Sequence, residues 1–209
     1  AALPAESCLL TSGAFRVYCC TADAIPETLS EIGRLRAAAY RGVGEGTNLD
    51  CEVDTFDAHY LHLFSWDAEA QRIVGAYRLG CADTIVNARG VSGLYTRTLF
   101  TYDRALLDRM GPALELGRSF VRVEYQRNHS ALLLLWKGIG RFVTTNPQYR
   151  RLFGPVSISA RYADQSHALL MAFLEQNHRA DDLAALVSAL NPPSRAATHG
   201  DAVTNPPHT

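Results

Sequence analysis

The sequence predicts an α/β domain built on a mixed sheet with helices on both faces. Three observations carry this. The segments run strand, helix, hairpin, strand, helix, strand, helix, and alternation with only one hairpin mixes strand directions. With 209 residues, 47% of them hydrophobic and 20% charged, the chain can bury a core without disulfide or metal staples. No internal repeat points to a solenoid or propeller. One domain over 1–190 and a Pro-rich disordered tail over 191–209, holding four of the nine prolines, are expected.

The elements follow in order. Residues 15–21 (Phe, Val, Tyr, Cys) are β-formers, and the chain then enters Ala24-Ile25-Pro26-Glu27, where proline suits a helix's first turn. Over 27–43 the apolar Leu29, Ile32, Ala39, Tyr40 and Val43 recur at helical spacing, and a Gly-rich stretch ends the helix. Residues 44–56 read as a loop. Segments 60–66 and 72–79 flank a polar pentapeptide and form a hairpin. Residues 81–100 show no clear period, with a short strand suggested at 93–96. A short helix is expected through Met110, stopped by Gly111-Pro112, then a strand over 113–123, an apolar helix over 130–145, a strand over 152–159 and a helix over 164–178.

Composition excludes several functions. Lys and Arg number 20 against 21 Asp and Glu, a net charge of -1 that gives no reason to expect nucleic acid. The longest apolar run, 131–136, is far short of the roughly 18–20 residues that span a bilayer. Five scattered cysteines, without C-x-x-C, point to a reducing cytoplasm. His59 and His62 lack a third ligand at suitable spacing, so no metal is expected. Starting on Ala without a signal peptide, the chain is expected to be processed or excised from something longer.

Charged residues on apolar elements carry the chemistry: Arg36, Asp54, Asp57, Arg78, Glu115 and Arg118. Buried charges need partners, which leaves two readings: a structural ion-pair network, or a polar site for a small zwitterion that must lose a proton. Period 2 puts Glu115 and Arg118 on opposite faces, so a bulge at Gly117 is expected to re-aim Arg118 and free backbone N–H groups. The helix holding Leu133, Leu134, Trp136 and Ile139 reads as buried helix or lipid-binding wall. Residues 125–130 sit at a strand-to-helix turn that could receive a phosphate.

In order, Arg36-x-x-x-Tyr40-Arg41, Asp54-Thr55-Phe56-Asp57, Val74-Gly75-Ala76-Tyr77-Arg78-Leu79 and Leu114-Glu115-Leu116-Gly117-Arg118-Ser119 resemble the ornithine-lipid N-acyltransferases. So do Leu132-Leu133-Leu134-Leu135-Trp136-Lys137-Gly138-Ile139 and Leu152-Phe153-Gly154. These proteins form a GNAT-like branch with the long-chain N-acyl amino acid synthases and acyl-homoserine-lactone synthases. The resemblance implies a mostly antiparallel GNAT-like sheet and transfer of a long-chain acyl group, with or without a 3-hydroxyl, to the α-amine of an amino acid. Ornithine is the first choice of acceptor, then tyrosine or glycine. The donor it implies is an acyl-phosphopantetheine thioester on acyl carrier protein, with no tightly bound cofactor.

By the same resemblance Arg36, Asp54, Asp57, Arg78, Glu115 and Arg118 line the amine-substrate end of the site. Glu115, Gly117 and Arg118 are expected to be catalytic, because acyl transfer needs a neutral amine, for which Glu115 is the general base, and a holder for the thioester oxygen, for which the Gly117 backbone N–H groups serve. Arg36, Tyr40, Asp54, Asp57, Arg78 and Ser119 bind the amino acid. Phe120, Val121, Arg127, Ser130, Leu133 and Trp136 hold the acyl-phosphopantetheine. His129 stands where acetyl-CoA users carry glycine, which favours acyl carrier protein over coenzyme A. Peripheral membrane contact and fusion to, or pairing with, a lysophospholipid acyltransferase are further expectations. An acetyl-CoA-dependent acetyltransferase and a non-catalytic acyl-binding module are the other readings.

Overall fold

The computed structural model describes residues 5–47, 49–127, 129–159 and 162–192. Strands β1 (Cys8–Ser12) and β2 (Phe15–Thr21) pair through a turn at Gly13, whose φ of +58° suits a residue without a Cβ. Helix α1 (Pro26–Gly42) starts at Pro26, where the absent N–H has no helical partner to lose. Strands β3 (Leu61–Asp67) and β4 (Arg72–Cys81) form the hairpin, and Asp67 Oδ1 closes it by accepting the N–H groups of Glu69 and Ala70 at 3.0 and 2.9 Å. Helix α2 (Ala82–Arg89) and strand β5 (Phe100–Thr101) precede α3 (Arg104–Met110), whose cap Asp103 accepts the Ala105 N–H at 2.8 Å. Then come β6 (Ala113–Val121), α4 (His129–Thr145), β7 (Arg151–Phe153), α5 (Asp164–His178), α6 (Asp181–Ala184) and β8 (Ser188–Ala189).

The main sheet has the order β1-β2-β3-β4-β6-β7. Every pair is antiparallel except β6–β7. It is a mixed, mostly antiparallel sheet with α1 on one face and α4 on the other. Alternation along β2 makes this concrete. Tyr18 and Cys20 pack with Ile32, Leu35 and Ala39 of α1, while Val17 packs with Leu134, Leu135 and Ile139 of α4. A third cluster joins Tyr60, Ile85, Leu94 and Tyr102 to Leu106 and Met110, with Leu183, Leu186 and Val187 laid against it. Helix α4 is a core helix on one face only: Leu134, Leu135 and Ile139 are buried, while Leu133 and Trp136 are 53% and 46% exposed.

Several sequence expectations are corrected. Residues 93–96 are not a strand: 3₁₀ turns occupy Val91–Gly93 and Tyr95–Thr98, because the Tyr95 and Thr96 amides are drawn onto the Glu115 carboxylate rather than into a ladder. The strand expected over 152–159 is only Arg151–Phe153. A Cβ on Gly154 would lie 2.0 Å from the Leu116 carbonyl oxygen, and Pro155, having no N–H, cannot extend the ladder. Strand β1, helix α2 and the α6–β8 segment, which pairs back onto β5, were not anticipated. The bulge exists, one residue further on than expected. Arg78 pairs with Gly117 and Ala76 with Phe120, so Arg118 and Ser119 together oppose Tyr77, and Arg118 takes the left-handed φ of +51°. Of the tail expected over 191–209, residues 193–209 lie outside the described residues, as does the His129 side chain.

Candidate active site

The bulge decides where the site lies. By turning Arg118 through a left-handed residue, it brings that guanidinium to the same place as charges from α1, β4 and the loop before β3. Arg118 Nη2 donates to Asp54 Oδ2 at 2.8 Å, and Nη1 to Glu52 Oε2 at 3.3 Å. Arg78 Nη1 donates to Asp54 Oδ1 at 2.6 Å and lies 3.3 Å from Asp57 Oδ1. Arg36 Nη1 reaches both Asp57 oxygens at 3.3 Å and the Glu52 carbonyl at 2.7 Å. Three guanidiniums thus face three carboxylates, and Arg36, Arg78, Glu52 and Asp57 are all buried. Charge balance is what makes their burial tolerable.

Local geometry aims the acidic side chains. Asp54 Oδ1 accepts the N–H groups of Phe56 and Asp57 at 2.9 and 3.2 Å, an Asx turn that starts the 54–60 segment. Burial alone would raise the Asp54 pKa, but Arg78 and Arg118 outweigh it and hold the carboxyl at about 2. Asp54 is therefore ionised and a weak base. For Arg118, burial lowers the pKa but the bond to Asp54 prevails and raises it, keeping the cation fixed. His62 is wholly buried, and its Nε2 lies 2.9 Å from the Asp57 carbonyl. Burial pushes this imidazole's pKa down, so it is neutral under ordinary conditions.

A cavity of about 950 Å³ opens beside this cluster. On the α1 face its wall includes Tyr40, Tyr95 and Arg118. It then passes between β6 and β7, whose pairing runs from Ala113–Arg151 to Glu115–Phe153, and the wall there is Leu116, Gly117, Phe153 and Gly154. On the α4 face Tyr77, Trp136, Leu152 and Val156 line it, with Tyr77 and Trp136 in edge contact at 6.1 Å. The close approach of Gly154 to Leu116 is thus the pivot from which the two strands part. A side chain on Gly117 would meet nothing within 4 Å, so its backbone is open to the cavity.

The expected site residues divide. Arg36, Asp54, Asp57, Arg78 and Arg118 converge, and Tyr40, Gly117, Ser119 and Trp136 line the cavity. Glu115 does not touch that cluster: its carboxylate, 2% exposed, accepts from the Tyr60 hydroxyl, the Tyr95 N–H at 3.3 Å and the Thr96 N–H at 2.7 Å. Phe120 is buried in the α1-face core because the bulge shifts the alternation, while Val121 packs on the α4 side. Arg127, Ser130 and Leu133 are exposed and do not line the cavity. Sequence reasoning missed Glu52, Tyr60 and Tyr95. The signal for Glu52 was its place two residues before Asp54, whereas Tyr95 fell in the stretch without period.

Residues 35–137 match the family described as acetyltransferase (GNAT) domain, and the mixed, mostly antiparallel sheet agrees with that family's fold. The relatives are more particular. The chain is 33% identical over 189 residues to a glycine N(alpha)-acyltransferase of Bacteroides thetaiotaomicron, covering 85% of this chain and 55% of that one. It is 32% identical over 172 residues to a glycine N(alpha)-acyltransferase of Phocaeicola vulgatus, covering 77% and 53%. To an L-ornithine N(alpha)-acyltransferase of Brucella abortus it is 34% identical over 137 residues, covering 63% and 47%. The chain spans about half the length of these curated relatives.

Proposed function

We propose that the protein transfers a long-chain acyl group from a phosphopantetheine thioester, presented by acyl carrier protein, to the α-amine of an amino acid. The cavity between the parting strands carries this reading, because it joins a charged end to an apolar end. Arg118 at the charged end suits a carboxylate, and Trp136, Leu152 and Val156 at the other suit an acyl chain. Glycine is the proposed acceptor. Two of the three relatives cited are named for it, and the charged side chains of the described wall are Arg118 and Glu45, the latter exposed at the rim. Ornithine, named in the third relative, is the alternative, with Glu45 as the partner of its second ammonium.

The mechanism follows from placement. The amine must attack as the neutral form. Its nitrogen adds to the thioester carbonyl carbon, backbone N–H groups of the Gly117–Ser119 bulge hold the oxygen as charge develops, and the C–S bond breaks. The amine's proton ends on the departing sulfur, giving amide and free thiol. The test is mass spectrometry of products from the purified chain offered glycine or ornithine with a long-chain 3-hydroxyacyl carrier protein, the matching acyl-CoA, or acetyl-CoA. N-acylglycine formed fastest from the carrier protein is expected. Turnover with acetyl-CoA alone would replace this reading by an acetyltransferase.

A further inference from the structure

Glu115 is the third residue of β6, opposite Gly80 of β4 and Phe153 of β7. A general base should reach the substrate, yet this carboxylate is 2% exposed and is absent from the cavity wall, with both oxygens taken. Oε1 accepts the Thr96 N–H at 2.7 Å, and Oε2 accepts the Tyr60 hydroxyl and the Tyr95 N–H. The Tyr60 oxygen in turn accepts the Tyr95 N–H at 2.9 Å. Tyr60 fits there because Gly80 has no side chain: a Cβ would lie 2.4 Å from the Tyr60 ring. Three elements are therefore arranged to fix two consecutive backbone amides. What those amides hold is the Tyr95 ring, which lines the cavity and lies 5.0 Å from the Arg78 guanidinium and 5.2 Å from that of Arg118.

We infer that Glu115 is a positioning residue, not the proton acceptor: with Tyr60 it pins the 95–96 backbone so that the Tyr95 ring braces Arg78 and Arg118 at the amino-acid end of the cavity. The kinetic part of this inference rests on the reading of the protein as an amino-acid N-acyltransferase. An anchor and a base make opposite kinetic signatures. Loosening an anchor weakens the amino acid's seat, so KM rises more than kcat falls; removing a base lowers kcat and erases its ionisation from the pH profile.

The experiment uses Glu115→Gln and Tyr60→Phe in the full chain, with amide hydrogen exchange and steady-state kinetics on the same preparations. Both variants are expected to exchange the Tyr95 and Thr96 amides roughly tenfold faster, with β3 and β4 unchanged, because hydrogen bonds to these amides are lost or weakened. Both are expected to raise the amino-acid KM roughly tenfold with kcat within about threefold, and to leave the acidic limb of kcat/KM in place. Unchanged exchange at these amides overturns the inference. So does a fall of about a hundredfold to ten-thousandfold in kcat for Glu115→Gln together with loss of the acidic limb. If the wild type acylates no amino acid, the functional reading fails, and hydrogen exchange alone still decides whether Glu115 is the anchor.

Discussion

Arg118 carries two burdens, a left-handed backbone and the charge that faces the cavity, and they are separable by substitution. A non-glycine residue at φ +51° stores about 1 kcal/mol, so Arg118→Gly relaxes the bulge while leaving Asp54 and Glu52 each short of one partner. The net effect is expected to be destabilising by about 2 kcal/mol and to abolish measurable saturation by the amino acid. Thermal melting and initial rates on one sample read both; a variant with normal KM for the amino acid would remove Arg118 from its binding. Gly117 offers the converse case. Its missing Cβ points into open cavity, so Gly117→Val should change stability by no more than about 0.5 kcal/mol while blocking the thioester's path and lowering turnover on the order of a hundredfold. An early-melting Gly117→Val would show that the glycine is there for packing.

At the scale of elements, the cavity is a consequence of β7 being short. β7 pairs over three residues and then leaves β6 at Gly154, where a Cβ would collide with the Leu116 carbonyl. Gly154→Ala must push the strands apart at the pivot, and a cost of about 1–3 kcal/mol is expected, with acyl-chain preference altered because the gap is reshaped. A denaturant series against wild type checks the first part and product chain-length analysis the second; unchanged values on both would remove Gly154 as the pivot. This geometry also explains what the sequence could and could not reveal. Helices α1 and α4 were legible because each buries a stripe at period 3.6, and strands β2, β3, β4 and β6 because they are runs of apolar β-formers bounded by turn signals, β3 and β4 being buried on both faces. The charged cluster was legible because arginine and aspartate beside apolar runs demand partners. The 3₁₀ turns at 91–98 and the end of β7 were not, since the first is set by a carboxylate some 20 residues away in sequence and the second by a backbone contact. The side of the sheet on which Arg118 lies depended on a bulge whose existence, but not position, the glycine signalled.

For the molecule as a whole, the buried charge cluster makes stability depend on pH in two windows of the same sign. His62 is held neutral by burial, with Arg36 and Arg78 adding to the effect against Asp57, so its folded pKa lies below the unfolded value of about 6.5. Below that value the unfolded chain binds a proton that the folded one refuses, and stability falls as pH falls, by at most about 1.4 kcal/mol per pH unit. Asp54 acts lower down. Its folded pKa of about 2 lies beneath an unfolded value of about 3.9, so its contribution is fully present above about pH 5 and is lost as pH falls towards 2. Full separation of those two values is worth at most about 2.6 kcal/mol, less some screening because the Asp54 side chain is 23% exposed. Urea midpoints measured from pH 8 to pH 3 should therefore hold level, decline from about pH 6.5, and steepen below about pH 5. In His62→Gln the first decline should flatten while the second remains, because glutamine can still meet the Asp57 carbonyl but has no proton to gain. A wild-type midpoint level down to pH 5, or the same early decline in both proteins, would show that the buried histidine is not what the folded cluster excludes from protonation.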